Sequence, residues 1–196
     1  MPSAASKKSI PPARPPLDER LTREVIRGVE MMSPRPARKH TRTASRLHGE
    51  IYRYDGPRGG DRGPGGWKIL IEPELHLEGD DPVVPDLAGW REERAPEDND
   101  EPAYNTPPDW VCEVLSPSTK NWDREQKMPF YAFHRVGHLW MVDPIARELE
   151  VYALGRRGWE LLGTFGGDKQ VRAEPFDDTH LSLDLIWPEE RRPSAG

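Results

Sequence analysis

The chain has 196 residues, a length that suits one domain with additional tails. Its single cysteine, Cys112, excludes an intramolecular disulfide and a cysteine-based zinc cluster. A lone cysteine is typical of a reducing compartment, so we expect a cytoplasmic protein, and no apolar run approaches the roughly 18 residues of a membrane span.

Charge is unevenly distributed along the sequence, although the net charge is -6. Residues 1–62 contain 14 Lys and Arg against 7 Asp and Glu, whereas residues 63–196 contain 14 against 27. A basic segment beside an acidic body is typical of a surface that contacts phosphates and a body that supplies metal ligands. A solvated helix face and a basic tail explain the same distribution equally well.

Proline and polar residues crowd both ends of the chain. We therefore predict flexible tails at 1–16 and 188–196 and one folded domain over 17–187.

The first half of the predicted domain begins with a short helix or turn at 17–24. A strand at 25–32, interrupted at Gly28, comes next, and residues 37–54 have the apolar spacing of a helix. Six glycines make 56–66 a connecting loop.

The middle of the domain is predicted to form strands. Residues 67–77 and 83–90 alternate apolar and polar side chains, and the turn signal at 79–82 indicates that the two pair as a hairpin. Residues 109–115 are almost continuously apolar, as expected for a buried central strand.

A second helix is predicted over 121–135, with a kink at Pro129, because proline lacks a backbone donor. Further strands are predicted at 138–143, 148–154, 158–165 and 180–187. This order of helices and strands predicts an α/β domain around a mixed β-sheet.

Two carboxylates interrupt apolar strands: Asp86 in VVPDLAGW and Glu113 in WVCEVL. A buried carboxylate without a partner is unfavourable, so each is expected to be paired, hydrogen-bonded or bound to a metal ion. On neighbouring strands, the two would form an oxygen-rich site suited to Mg²⁺.

The second helix adds Asp123 and Lys127, which are four residues apart and share one face. The lysine is predicted to approach the end of the strand that carries Glu113, where its charge would stabilise a transition state or position a water molecule. A local Asp123–Lys127 ion pair is the simpler interpretation of the same spacing.

Several segments together resemble the Uma2 family: EPELHL (72–77), VPDLAGWREER (84–94), PPDWVCEVLSPSTKNWDREQKMPFYAF (107–133), GHLWMVDP (137–144) and RELEVY (147–152). The resemblance extends over about 17–187. It implies the restriction-endonuclease-like PD-(D/E)XK fold, with helices flanking a mixed sheet. It also implies an endonuclease that hydrolyses DNA with Mg²⁺ or Mn²⁺ and works as a homodimer.

The resemblance assigns the chemistry to three residues. Asp86 corresponds to the first half of the family motif and Glu113 to the second half. Leu115 departs from the motif, because a lysine usually stands at that position. The resemblance implies that Lys127 supplies the displaced ammonium group.

Weaker assignments follow from the same resemblance. Lys120 is a second candidate for the lysine, and Glu74 is a further candidate ligand of the metal ion. Glu50 matches the helix glutamate of many nucleases of this fold. His40 matches a recurrent family histidine, for which a structural role and a phosphate contact both stay open.

Two other functions stay open at this point. The acidic body and the displaced lysine are compatible with a non-catalytic module, on the same scaffold, that binds nucleic acid or a protein partner. A glycosidase with two carboxylates is the third hypothesis, although no aromatic sugar platform accompanies these carboxylates.

Overall fold

A computed structural model describes residues 21–61, 63–79 and 81–189 of the protein. The predicted tail at 1–16 lies outside these residues, and of the predicted C-terminal tail only Pro188 and Glu189 are described. No helix in the described ranges is long and apolar enough to cross a membrane.

One six-stranded sheet organises the described residues, in the order β10-β9-β8-β7-β6-β3. Its strands are β3 (Trp67–Ile71), β6 (Leu87–Arg91), β7 (Trp110–Val114), β8 (His138–Asp143), β9 (Glu148–Gly155) and β10 (Gly158–Gly166). Strands β7 and β8 are parallel, and every other neighbouring pair is antiparallel. The sheet is therefore mixed, which confirms the predicted α/β class.

The N-terminal segment is a β-hairpin of β1 (Leu21–Ile26) and β2 (Val29–Pro34). Arg27 and Gly28 form its turn with positive φ angles of 51° and 76°. The short helix or turn predicted at 17–24 is wrong for the described residues, because this part of the chain pairs along its length with β2. Gly28 breaks the predicted strand into two, since it permits the turn.

The strands predicted at 67–77 and 83–90 do pair, but each is divided in two. Strand β3 pairs with β6, while β4 (Leu75–Glu78) pairs with β5 (Asp81–Val83) in a separate two-stranded sheet. The division falls at Glu72, which has a φ of 49°. The bend turns the chain away from the main sheet just before the second sheet begins.

Helices cover both faces of the main sheet. Helix α1 (Arg38–Ile51), continued by a 3₁₀ turn at Tyr52–Tyr54, confirms the helix predicted over 37–54. The second helical segment consists of α2 (Lys120–Trp122), a π-helical turn (Asp123–Lys127) and α3 (Met128–Phe133). The π-helical turn ends two residues before Pro129, the residue at which a kink was predicted.

The last predicted strand, 180–187, is wrong except at its start. Only β12 (Leu181–Ser182) is extended, and it pairs with β11 (Gln170–Val171). Residues Leu183–Ile186 form the short helix α4. Leu183 and Ile186 are both buried, and a separation of three residues places two side chains on one face of a helix.

Alternation along β7 sends its side chains into two different cores. Trp110, Cys112 and Val114 belong to the core that includes α1 and α4. Val111 belongs to the core on the other face, which includes residues of α3. Glu113 lies on that second face, because successive side chains of a strand point to opposite sides.

Phe176 lies at the centre of the first core, with ring centroids of Tyr54, Trp67, Trp110 and Trp140 between 4.8 and 5.6 Å from its own. We expect Phe176→Ala to lower the free energy of unfolding by about 3–5 kcal/mol, because it removes a buried ring and leaves a cavity. Urea unfolding measures the change. Phe133→Ala is the matched control, since that ring is 64% exposed; an equal loss in both variants would contradict this description of the core.

Candidate active site

A cavity of about 840 Å³ opens where β6 begins and β7 ends. The hairpin β1–β2, the start of α1 and the turn after β7 form its walls. The lining includes all three residues of the principal prediction, Asp86, Glu113 and Lys127. The structure therefore brings them together from three separate segments of the chain.

Asp86 lies immediately before β6. The register pairs Leu87 with Cys112, so one further step along both strands places Asp86 opposite Glu113. The backbone N–H of Val114 donates a hydrogen bond of 2.6 Å to Oδ2 of Asp86. This bond fixes the carboxylate at the end of β7 and leaves part of it facing the cavity.

Glu113 is held at both carboxylate oxygens. The hydroxyl of Tyr131 donates to Oε1 at 2.5 Å, and the ammonium of Lys127 donates to Oε2 at 3.1 Å. The side chain is only 2% exposed. Each oxygen keeps further acceptor capacity, because a carboxylate oxygen offers two lone-pair sites.

Lys127 connects several elements through its ammonium group. Nζ lies 2.8 Å from Oε1 of Glu24 on β1 and 3.8 Å from Oδ1 of Asp123, and it donates to the carbonyl of Val84 at 3.0 Å. Glu24 in turn accepts a hydrogen bond from the N–H of Val84 at 2.9 Å. The lysine and the glutamate together hold the backbone of Val84, two residues before Asp86.

The protonation of Lys127 follows from its surroundings. Burial lowers the pKa of its ammonium group, but the negative charges around it, Glu113 first and Glu24 second, raise the pKa more, to well above the ordinary value. The surrounding carboxyl groups therefore favour the charged, ammonium form of Lys127.

The pKa values of two acids in the cavity, Glu113 and Asp123, are also raised. Burial raises the pKa of Glu113 well above its ordinary value; Lys127 opposes this shift, and Asp123 and Asp86 add to it. Burial also raises the pKa of Asp123, from 3.8 to about 6, although Lys127 and a hydrogen bond from Thr119 act against the change. In both acids the shift favours the neutral form, because burial and the neighbouring carboxyl groups disfavour a further negative charge.

His40, in the first turn of α1, faces Asp86. Its Nε2 lies 3.2 Å from Oδ2 of Asp86. Burial lowers the pKa of the imidazole, but the hydrogen bond and the charge of Asp86 outweigh this effect, so the pKa lies above its ordinary value. The histidine supports the orientation of Asp86, in line with a structural role.

The donor set fits a divalent cation in its chemistry. Glu24, Asp86, Glu113 and Asp123 all line the cavity, and Lys127 and His40 are the basic side chains paired with them. Carboxylate oxygens suit Mg²⁺ and Mn²⁺, and Mg²⁺ is usually held by one or two carboxylates together with waters and substrate phosphates.

A complete set of three protein ligands is not preassembled. Among the described residues, no three His, Cys, Asp or Glu side chains are grouped so that they could hold a metal ion. Glu74, predicted as a third ligand with Asp86 and Glu113, lies on the cavity wall with its carboxylate 2.6 Å from Nε2 of His76.

The other secondary candidates lie apart from the cavity. Glu50 accepts a hydrogen bond from the backbone N–H of Ser182, so it connects α1 to β12 instead. Lys120 is exposed and does not line the cavity. Lys127 is therefore the lysine that the structure places next to Glu113.

Two buried polar residues of the cluster were not identified from the sequence. Tyr131 lies four residues after Lys127, as Lys127 lies four residues after Asp123. The same helical spacing could therefore have placed Tyr131 on the face shared by Asp123 and Lys127. Glu24 was missed because its segment was assigned to a helix or turn. Its signal is a carboxylate directly before the apolar pair Val25 and Ile26.

Comparisons with known proteins support the fold and the family. The family model Uma2, described as "Putative restriction endonuclease", matches residues 15–185. A crystal structure of "a putative nuclease belonging to DUF820" from Anabaena variabilis superposes with a TM-score of 0.61 and 22% identity. The match covers 84% of this chain and 89% of that one, and at this identity it shows the fold alone. No curated protein matches the chain.

Removal of the buried ammonium group is expected to destabilise the protein. Lys127→Ala should lower the free energy of unfolding by about 3–5 kcal/mol, because it leaves carboxylates buried without their cation. Lys120→Ala is the matched control and should change it by less than about 0.5 kcal/mol, since that side chain is exposed. Similar values for the two variants in urea unfolding would show that the ammonium is not a buried partner.

The raised pKa of Asp123 predicts how the stability of the protein changes with pH. A carboxyl whose pKa rises on folding, here from 3.8 to about 6, favours folding less as it ionises, so stability falls as the pH rises through that window. Asp123→Asn cannot ionise. We expect it to match the wild type near pH 4 and to be more stable by on the order of 2 kcal/mol above pH 6. A difference in unfolding free energy that does not change with pH would contradict this.

Proposed function

Because this chain belongs to the Uma2 family, we propose that it is a metal-dependent endonuclease that hydrolyses phosphodiester bonds in DNA. One observation carries the proposal: Asp86, directly before β6, and Glu113, on β7, line one open cavity together with a buried lysine, Lys127, that is paired with Glu113. The restriction-endonuclease-like fold provides the scaffold.

In the proposed reaction a water oxygen forms a bond to phosphorus, and the bond from phosphorus to the leaving oxygen breaks. Asp86 and Glu113 would hold Mg²⁺ or Mn²⁺. A bound divalent cation lowers the pKa of water and neutralises charge on the phosphate. The homodimer implied by the family resemblance is part of this proposal, since two copies would allow both strands to be cut.

The other polar residues prepare this arrangement before substrate arrives. Tyr131 and Lys127 fix the carboxylate of Glu113, while Val114 and His40 fix that of Asp86. Groups held in this way need little reorganisation during reaction, which is a major source of catalytic stabilisation. Lys127 also contributes a positive charge at the cavity wall.

We expect purified protein to nick or linearise supercoiled plasmid in Mn²⁺ or Mg²⁺ and to lose this activity in EDTA. Asp86→Asn and Glu113→Gln should each reduce cleavage by at least about 100-fold, because each removes a carboxyl ligand of the metal ion while nearly preserving shape. Agarose gels measure the rate.

Asp178→Asn and Glu160→Gln are matched controls on exposed residues, and both should cleave at the wild-type rate. Wild-type cleavage by both cavity variants would overturn the assignment of the site. Binding of DNA without cleavage in any divalent metal ion would instead favour the non-catalytic module.

A further inference from the structure

The first half of α1 presents a group of cations that have no acidic partner. Arg35, just before the helix, and Arg38, Lys39 and Arg42 within it are all exposed. Within 21–61, 63–79 and 81–189, no ion pair or hydrogen bond engages any of their side chains. We call these four residues the basic face.

Two other arginines of the protein are paired with acids. Arg46, farther along the same helix, pairs with Glu189 at 2.8 Å, and Arg124 forms two bonds of 2.9 and 3.0 Å to the carboxylate of Glu150. Asp and Glu outnumber Lys and Arg by 34 to 28 in the sequence. Acidic side chains are therefore abundant, yet none of those that the structure describes pairs with the basic face.

The basic face begins at the candidate active site. Arg35 lines the cavity, and so does His40 from the inner side of α1. Arg38 and Arg42 are one helical turn apart, about 6 Å along the axis, on the outer side. Exposed cationic side chains are therefore found at the cavity rim, with Arg35, and along the first turns of α1 beside it.

We propose that the basic face binds the sugar-phosphate backbone of duplex DNA and guides one strand to the cavity. The inference rests on the proposed function, because the cavity is where the phosphodiester would react. A protein of net charge -6 repels DNA overall, so attraction has to come from a local cationic surface. Arginine and lysine are the usual phosphate contacts, and such contacts carry no sequence preference.

The test measures binding of a fluorescent duplex of about 30 base pairs by anisotropy, in EDTA so that no cleavage occurs, over a series of KCl concentrations. Each lost phosphate contact lowers the slope of log affinity against log salt by roughly 0.9. Arg38→Ala combined with Arg42→Ala should therefore reduce the slope by about two and weaken binding at least about tenfold.

Two further variants isolate the basic face. Arg156→Ala combined with Arg157→Ala removes the same charge from the exposed turn between β9 and β10, and should keep the wild-type slope. Arg38→Lys combined with Arg42→Lys retains the charge and should keep most of the slope. The inference is overturned if the wild type does not bind DNA, if the α1 double-alanine variant keeps the wild-type slope, or if both alanine pairs lower it equally.

The plasmid assay separates this inference from the proposed function. Binding that depends on Arg38 and Arg42, without cleavage in any divalent metal ion, would uphold the basic face and overturn the endonuclease proposal. If the protein cleaves plasmid but the salt slope of DNA binding is unchanged by replacing Arg38 and Arg42, the endonuclease proposal is upheld and the proposed role of the basic face is overturned.

Discussion

One buried ammonium group, that of Lys127, holds the candidate site together. It lies within 3.1 Å of Glu24 and of Glu113 and also binds the carbonyl of Val84. A buried ion pair is tolerated only when its geometry and its further hydrogen bonds compensate for the loss of water. Here each partner belongs to a different segment, so the charges are satisfied only when the hairpin, the central strand and the second helix are all in place. The site and this part of the fold are therefore stabilised by the same contacts.

The mixed sheet determines what faces this ammonium group. Strand β7 is buried throughout, yet alternation directs Cys112 into the aromatic core and Glu113 into the polar cluster. The antiparallel register with β6 then places Asp86 opposite Glu113. Two carboxylates that are 27 positions apart in sequence meet because one strand reverses direction against the other. The bend at Glu72 directs β4 and β5 away from the main sheet.

Much of this arrangement could be predicted from local pattern, and the rest depends on long-range packing. Apolar runs and helical spacing identified the central strands and α1, and the polar interruptions identified Asp86 and Glu113. The helical spacing from Asp123, together with the family resemblance, added Lys127. The segment with Glu24 was misassigned because a short polar strand gains its stability from pairing with β2, which no local signal shows. The prediction of a strand at 180–187 was wrong for a related reason. Its buried residues Leu183 and Ile186 are three positions apart, a spacing that also fits one turn of a helix. The place of Glu50 depends on its contact with Ser182 of β12, which is 132 positions away in the sequence and is brought close only by folding.

The excess of acid at the cavity and the unpaired cations on α1 have complementary roles in the proposed nuclease. The acids would hold a divalent cation, and the cations would hold the polyanion that this metal ion helps to hydrolyse. The most direct test is a crystal of the protein with Mn²⁺, analysed by anomalous scattering. The account predicts one strong peak within coordination distance of both Asp86 and Glu113, with the ammonium of Lys127 still bound to Glu113. A peak elsewhere, or none at these carboxylates under saturating Mn²⁺, would contradict the account.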